Sequence, residues 1–105
     1  MKPEEFKQIK MLMTPVFKKI GAKKVILFGS YSRGSETRKS DLDLMIVMNT
    51  DKRFFDRYEQ FEPIQTMIKN RSVDLLIYTP EELSHIAHRP FIRQILAEGR
   101  VIYEC

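Results

Sequence analysis

Cysteine is almost absent: the one thiol, Cys105, is the last of 105 residues. A single thiol has no partner within the chain, so no internal disulfide can staple the fold, and a reducing compartment suits it. No apolar run approaches the ~20 residues of a membrane-spanning helix. The N-terminal MKPEEFKQIKMLM is charged and interrupted where a secretory signal would be apolar. The expectation is a cytoplasmic protein with no membrane contact. No repeat, low-complexity stretch or linker divides the sequence, so residues 1–105 read as one domain. Such a domain buries about two-thirds of its unfolded surface, enough for a core.

What the chain does contain is 43% hydrophobic and 30% charged residues, the balance of an ordinary globular protein. The formal net charge of +4 is modest and does not by itself argue for nucleic acid. Lys18, Lys19, Lys23 and Lys24 flank one helix end and read as a solvated surface, while Arg33, Arg38 and Lys39 share a loop.

Residues 3 to 20 carry Phe6, Ile9, Leu12, Met13, Val16, Phe17 and Ile20 at helical spacing. Gly21 is a natural stop, and Pro15 predicts a kink, or a restart after Thr14. Val25-Ile26-Leu27-Phe28 reads as a buried strand, followed by Gly29-Ser30 and a loop or short helical turn to Ser40. Residues 41 to 48, DLDLMIVM, form a second strand with Asp41 and Asp43 on one face. Residues 53 to 70 suggest a helix that Pro63 weakens, and 72 to 78, SVDLLIY, a third strand. Thr79-Pro80 starts a helix, and a helix or two covers 80 to 98 with a break near Arg89-Pro90. Gly99 and a short strand around Val101-Ile102-Tyr103 follow. The class is α/β or α+β: a short mixed sheet flanked by helices.

Alternate strand residues place the roots of Asp41 and Asp43 ~6.6 Å apart on one side. Two carboxylates there repel by roughly 2.5 kcal/mol at an effective dielectric near 20, and Asp is a poor strand former. A divalent cation between them turns the repulsion into binding, and all-oxygen ligands favour Mg²⁺. A lone Asp-x-Asp is common and often only caps a loop. Its weight here comes from Gly29-Ser30 upstream, with ten residues between Ser30 and Asp41. Gly29 lets backbone approach a ligand closely, Ser30 offers a hydroxyl and an N–H to phosphate oxygen, and Arg33 a fixed cation. No Gly-Lys-Ser/Thr follows, so the loop is not a P-loop. Asp74, inside an apolar strand where an unpaired charge is expensive, is the best candidate for the third carboxylate of a two-metal site and for a proton acceptor, against the plainer reading of an edge-strand Asp facing solvent. Asp51 and Asp56 are weaker rivals, in a loop and at a helix start. His85 and His88 lack the further ligands of a metal site.

Gly-Ser, ten residues, Asp-x-Asp and a later strand Asp together resemble the DNA polymerase β-like nucleotidyltransferase superfamily. The small size, and an ending of the form Pro90-Phe91-Ile92-Arg93 through Gly99-Arg100-Val101-Ile102-Tyr103, is similar to its minimal nucleotidyltransferase (MNT) domains, often encoded beside a HEPN-domain partner. The resemblance implies that Asp41 and Asp43 hold two Mg²⁺ ions, with Asp74 on the catalytic one. It implies that Gly29, Ser30 and Arg33 bind the triphosphate of ATP. The implied activity is transfer of AMP to a protein hydroxyl, a tyrosine of a HEPN-type toxin, with this chain as antitoxin. The acceptor site is then completed by a partner or a second copy. Neutralisation by binding alone, transfer to a small molecule such as an aminoglycoside, and transfer to a nucleic-acid end are the competing expectations. The modest charge and lack of a nucleic-acid-binding module weigh against the last.

Overall fold

Helix α1 spans Pro3–Ile20. Pro3 stands in its first turn, where a missing N–H costs nothing, with Glu4 and Glu5 beside it and Lys18 and Lys19 in the last turn, each sign matching the helix dipole. Gly21 closes it at φ 88°, its N–H bonding back to the Phe17 and Lys18 carbonyls. The helix runs through Pro15 without the restart the sequence suggests. The carbonyl left without a partner belongs to Met11, a residue 76% exposed, so water can take that bond. The computed structural model describes residues 2–29, 41–68 and 71–105. The loop expected to follow Gly29, with Ser30, Arg33, Arg38, Lys39 and Ser40, lies outside these.

Strands β1 (Lys24–Phe28), β2 (Leu42–Val47), β3 (Val73–Tyr78) and β4 (Arg100–Glu104) form one mixed sheet in the order β3-β2-β1-β4. β1 pairs antiparallel with both β2 and β4, and β2 runs parallel to β3. The parallel pair requires a crossover, and it is here that the structure departs from the sequence reading. In place of a helix over 53 to 70 there are two 3-10 turns, Phe54–Arg57 and Glu59–Phe61, and then a short helix α2, Glu62–Met67. Pro63 is the cause: it cannot donate to the carbonyl of Glu59 and clashes with it, but fits the first turn of a new helix.

Side-chain alternation sorts the sheet into two layers. Val25, Leu27, Leu44, Ile46, Leu75 and Ile77 face α1, the second 3-10 turn and α2, which add Ile9, Met13 and Phe17, then Phe61, then Ile64 to one core. Ile26 and Met45 face the other way, against helices α3 (Pro80–Ile86) and α4 (Pro90–Glu98). Among the described residues no helix is long and apolar enough to cross a membrane.

The far end of β2 and β3 is tied by a buried cation. Arg57, 5% exposed, donates through Nε to the Lys52 carbonyl and through Nη1 to the Ile77 carbonyl. Its Nη1 and Nη2 also meet both Glu82 oxygens at 2.6 and 3.0 Å. Glu82, the third residue of α3, closes a capping box with Thr79: Thr79 Oγ1 accepts from the Glu82 N–H while a Glu82 oxygen accepts from the Thr79 N–H. The Arg57 guanidinium, with the Thr79 amide, holds Glu82 down to about 2 from an ordinary 4.5. A depressed carboxyl contributes stability that is present above its unfolded value and lost as pH falls through the folded one. Replacing Glu82 by Gln is therefore expected to lower unfolding free energy at neutral pH by about 2 kcal/mol, since half its carboxylate meets water. That gap should close between pH 4.5 and 2 in denaturant melts; a gap that persists at the acid end contradicts the assignment.

Candidate active site

The strand registers bring three chain segments to one end of the sheet. Asp43 lies opposite Phe28, the last residue of β1, and beside Asp74 across the parallel pair. Alternation turns both carboxylates to the α3–α4 side, with Asp41 one step before β2 on that same side. The sheet thus collects Asp41, Asp43 and Asp74 as their sequence spacing suggests.

Gly29 makes this possible in a way spacing does not reveal. It adopts φ 76°, a conformation other residues reach only with strain. A Cβ on it would overlap the Asp43 carboxylate at Oδ2. The close approach predicted for a ligand is thus already made by the chain's own acid.

The three carboxylates repel one another. Burial pushes the Asp43 carboxyl above its ordinary 3.8, and the charges of Asp74 and then Asp41 push it further. Asp74 is raised by burial at its root, by the Asp41 charge, and by a hydrogen bond with Asp41. Among the described residues no three acidic, histidine or cysteine side chains converge in metal-coordinating geometry. The carboxylates therefore do not close a cage by themselves. Such an arrangement fits a hard ion that takes one or two carboxylates and completes its shell with phosphate oxygens.

Beside them opens a cavity of about 360 Å³. Gly29, Asp43 and Asp74 form one wall; Phe91, Gln94, Ile95 and Glu98, on one stripe of α4, form the other. A helix and a family-like ending are expected here from the sequence, but not a cleft wall. The i, i+3, i+4, i+7 spacing of 91, 94, 95 and 98 was the available signal. Asp51 lies at the opposite end of the strands, beside the Arg57–Glu82 pair. Asp56 falls in a 3-10 turn, and His85 and His88 are not in the cleft wall. Ser30 and Arg33 lie outside the described residues.

Two outcomes follow. Gly29→Ala should cost roughly 1–3 kcal/mol of stability through the strained φ and the displaced Asp43, and should abolish the activity argued below; an unchanged melt would contradict the close approach. Because the folded chain holds the Asp43 proton more tightly than the unfolded chain does, metal-free stability falls as pH rises above the ordinary 3.8 toward the raised value. Asp43→Asn should therefore melt a few degrees higher, about 3 °C, at neutral pH without metal, and should lose any stabilisation by Mg²⁺ with ATP.

Comparison with known proteins agrees with this geometry. Residues 10–105 match the model of the family described as polymerase beta, nucleotidyltransferase. Several proteins of Methanocaldococcus jannaschii provisionally named protein adenylyltransferases are similar. One is 42% identical over 82 residues, 77% of this chain and 78% of that protein; a second is 33% identical over 84 residues, 76% and 57%. Among solved structures, a toxin–antitoxin complex with AMP-PNP superposes with a TM-score of 0.68 at 19% identity, over 91% of this chain and 73% of that one. A complex described as the tri-AMPylated Shewanella oneidensis HEPN toxin with MNT antitoxin gives 0.63 at 16% identity, over 95% and 73%. Fold, family model and relatives agree: the chain belongs to the polymerase β nucleotidyltransferase family.

Proposed function

We propose that this chain transfers the AMP moiety of ATP, with Mg²⁺, to a hydroxyl of a partner protein, a tyrosine of a HEPN-domain toxin, and so acts as its antitoxin. The observation that carries the reading is Asp43 set beside Asp74 at the mouth of a cavity whose near edge is Gly29. The relatives' names support a protein acceptor, and the AMP-PNP and tri-AMPylated complexes among the structural neighbours support the nucleotide and the partner.

Asp41, Asp43 and Asp74 are the residues that would hold the metal, and Gly29, Ser30 and Arg33 those that would hold the triphosphate. Bound Mg²⁺ supplies neutralisation of charge on the phosphate oxygens. The acceptor oxygen forms a bond to the α-phosphorus as the α–β phosphoanhydride bond breaks and pyrophosphate leaves. The acceptor proton passes to Asp74, whose raised carboxyl is a better base than an ordinary aspartate.

The test is incubation of the full chain with ATP, Mg²⁺ and an all-helical HEPN partner, read by intact mass. The partner should gain one or more AMP units, and Asp43→Asn or a chelator should slow the gain at least a hundredfold. A stable complex with no mass change would replace transfer by neutralisation through binding alone; a gain that survives Asp43→Asn would remove the carboxylates from the chemistry.

A further inference from the structure

Of the two cavity walls, only the Gly29–Asp43–Asp74 side has a role so far. The opposite wall is built from α4. Its side chains stand at one-turn intervals: Phe91, then Gln94, then Glu98, with Ile95 beneath them in the core. Phe91 is 57% exposed, and its ring meets Phe28 edge-on at 6.0 Å and 86°, which leaves a ring face uncovered. Gln94 Nε2 donates to Glu98 Oε2 at 3.3 Å. A carboxylate only accepts, so this bond fixes which end of the amide faces Glu98. The second Glu98 oxygen and the Gln94 carbonyl oxygen remain as acceptors, with no other partner among the described residues.

A further carboxylate in a cleft already lined by Asp43 and Asp74 repels phosphate from this wall. What the wall favours is a neutral group with neighbouring hydroxyl donors attached to a flat apolar ring. The cavity, about 360 Å³, falls in the size range of small-ligand sites, ~300–1,000 Å³. A phenolic acceptor satisfies this poorly: its one hydroxyl is needed at Asp74, and nothing is left for the Gln94–Glu98 pair. A nucleoside satisfies it through its ribose diol and its base.

We infer that the α4 stripe of Phe91, Gln94 and Glu98 is the nucleoside-binding wall of the cleft, Gln94 and Glu98 accepting the ribose hydroxyls and Phe91 stacking on the base. The inference rests on the nucleotide-transfer reading above. It orients the nucleotide, triphosphate toward Gly29 and sugar toward α4, and leaves the exposed β3 edge at Asp74 to the acceptor. It also sets the selectivity. Aromatic stacking reads a π-face and is tolerant of base identity, whereas a site built to bond a hydroxyl rejects the analogue lacking it. The chain should therefore discriminate sugars more strongly than bases.

The experiment is calorimetric binding of Mg²⁺ complexes of ATP, GTP, 2′-deoxy-ATP, 3′-deoxy-ATP and inorganic tripolyphosphate to the full chain and to Gln94→Ala, Glu98→Ala and Phe91→Ala. Wild type should bind ATP about tenfold more tightly than at least one deoxy analogue, and GTP nearly as well as ATP. Glu98→Ala should weaken ATP about tenfold and leave that deoxy analogue and tripolyphosphate unchanged, the signature of a pairwise coupling. Phe91→Ala should weaken every nucleotide by a similar factor and tripolyphosphate not at all. Glu98→Ala weakening ATP and both deoxy analogues alike, or none of them, overturns the ribose assignment. Phe91→Ala leaving the affinity of every nucleotide unchanged overturns the base-stacking assignment. Failure of wild type to bind any nucleotide would instead sink the transfer reading on which the inference stands.

Discussion

Everything at the functional end of this molecule answers to one constraint: Asp43 and Asp74 must stand side by side on paired strands although their charges oppose it. The register of the parallel β2–β3 pair places them together, and both carboxyls are raised above the ordinary range, by burial first and then by neighbouring carboxylates: Asp74 and Asp41 for Asp43, Asp41 for Asp74. Such an arrangement survives because the rest of the domain is anchored without it. Two layers of apolar packing hold the sheet from either side. The far ends of β2 and β3 are clamped by Arg57, which is bonded to two carbonyls and a bidentate carboxylate. The favourable electrostatics sit at one end of the strands and the unfavourable ones at the other, where the proposed cation and nucleotide would offset them.

Much of this was legible in the residues. The four strands follow from short apolar or alternating runs bounded by Gly29, Thr79-Pro80 and Gly99, because those punctuators have few conformational alternatives. The Asp-x-Asp spacing implies a shared face by geometry alone, and the parallel register then adds Asp74. The capping box was half-visible: Thr79 and Pro80 mark the start, while Glu82 has two partners, only one of them local.

The rest was hidden for identifiable reasons. Periodicity over residues 53 to 70 suggested one helix, but Pro63 divides it into 3-10 turns and a short α-helix. Arg57 looks like a surface residue in sequence, because its burial depends on the Ile77 carbonyl and on Glu82, 20 and 25 positions away. The α4 wall is a tertiary product as well. Phe91, Gln94 and Glu98 form an ordinary amphipathic stripe until the sheet places carboxylates across from them. Gly29 was legible as special, but for a different neighbour: its missing side chain makes room for Asp43.

Gly99 carries a mechanical consequence. It is the one residue between the end of α4 at Glu98 and the start of β4 at Arg100. A methyl group there would collide with Ile26 of β1 and with the Ile95 carbonyl. β4 is an outer strand of the sheet, tied to α1 by the Arg100 guanidinium over the Phe6 ring at 4.0 Å. With a single residue in the joint, any side chain at position 99 would wedge the cleft-lining helix off the sheet, and with it the Gln94–Glu98 face of the cavity.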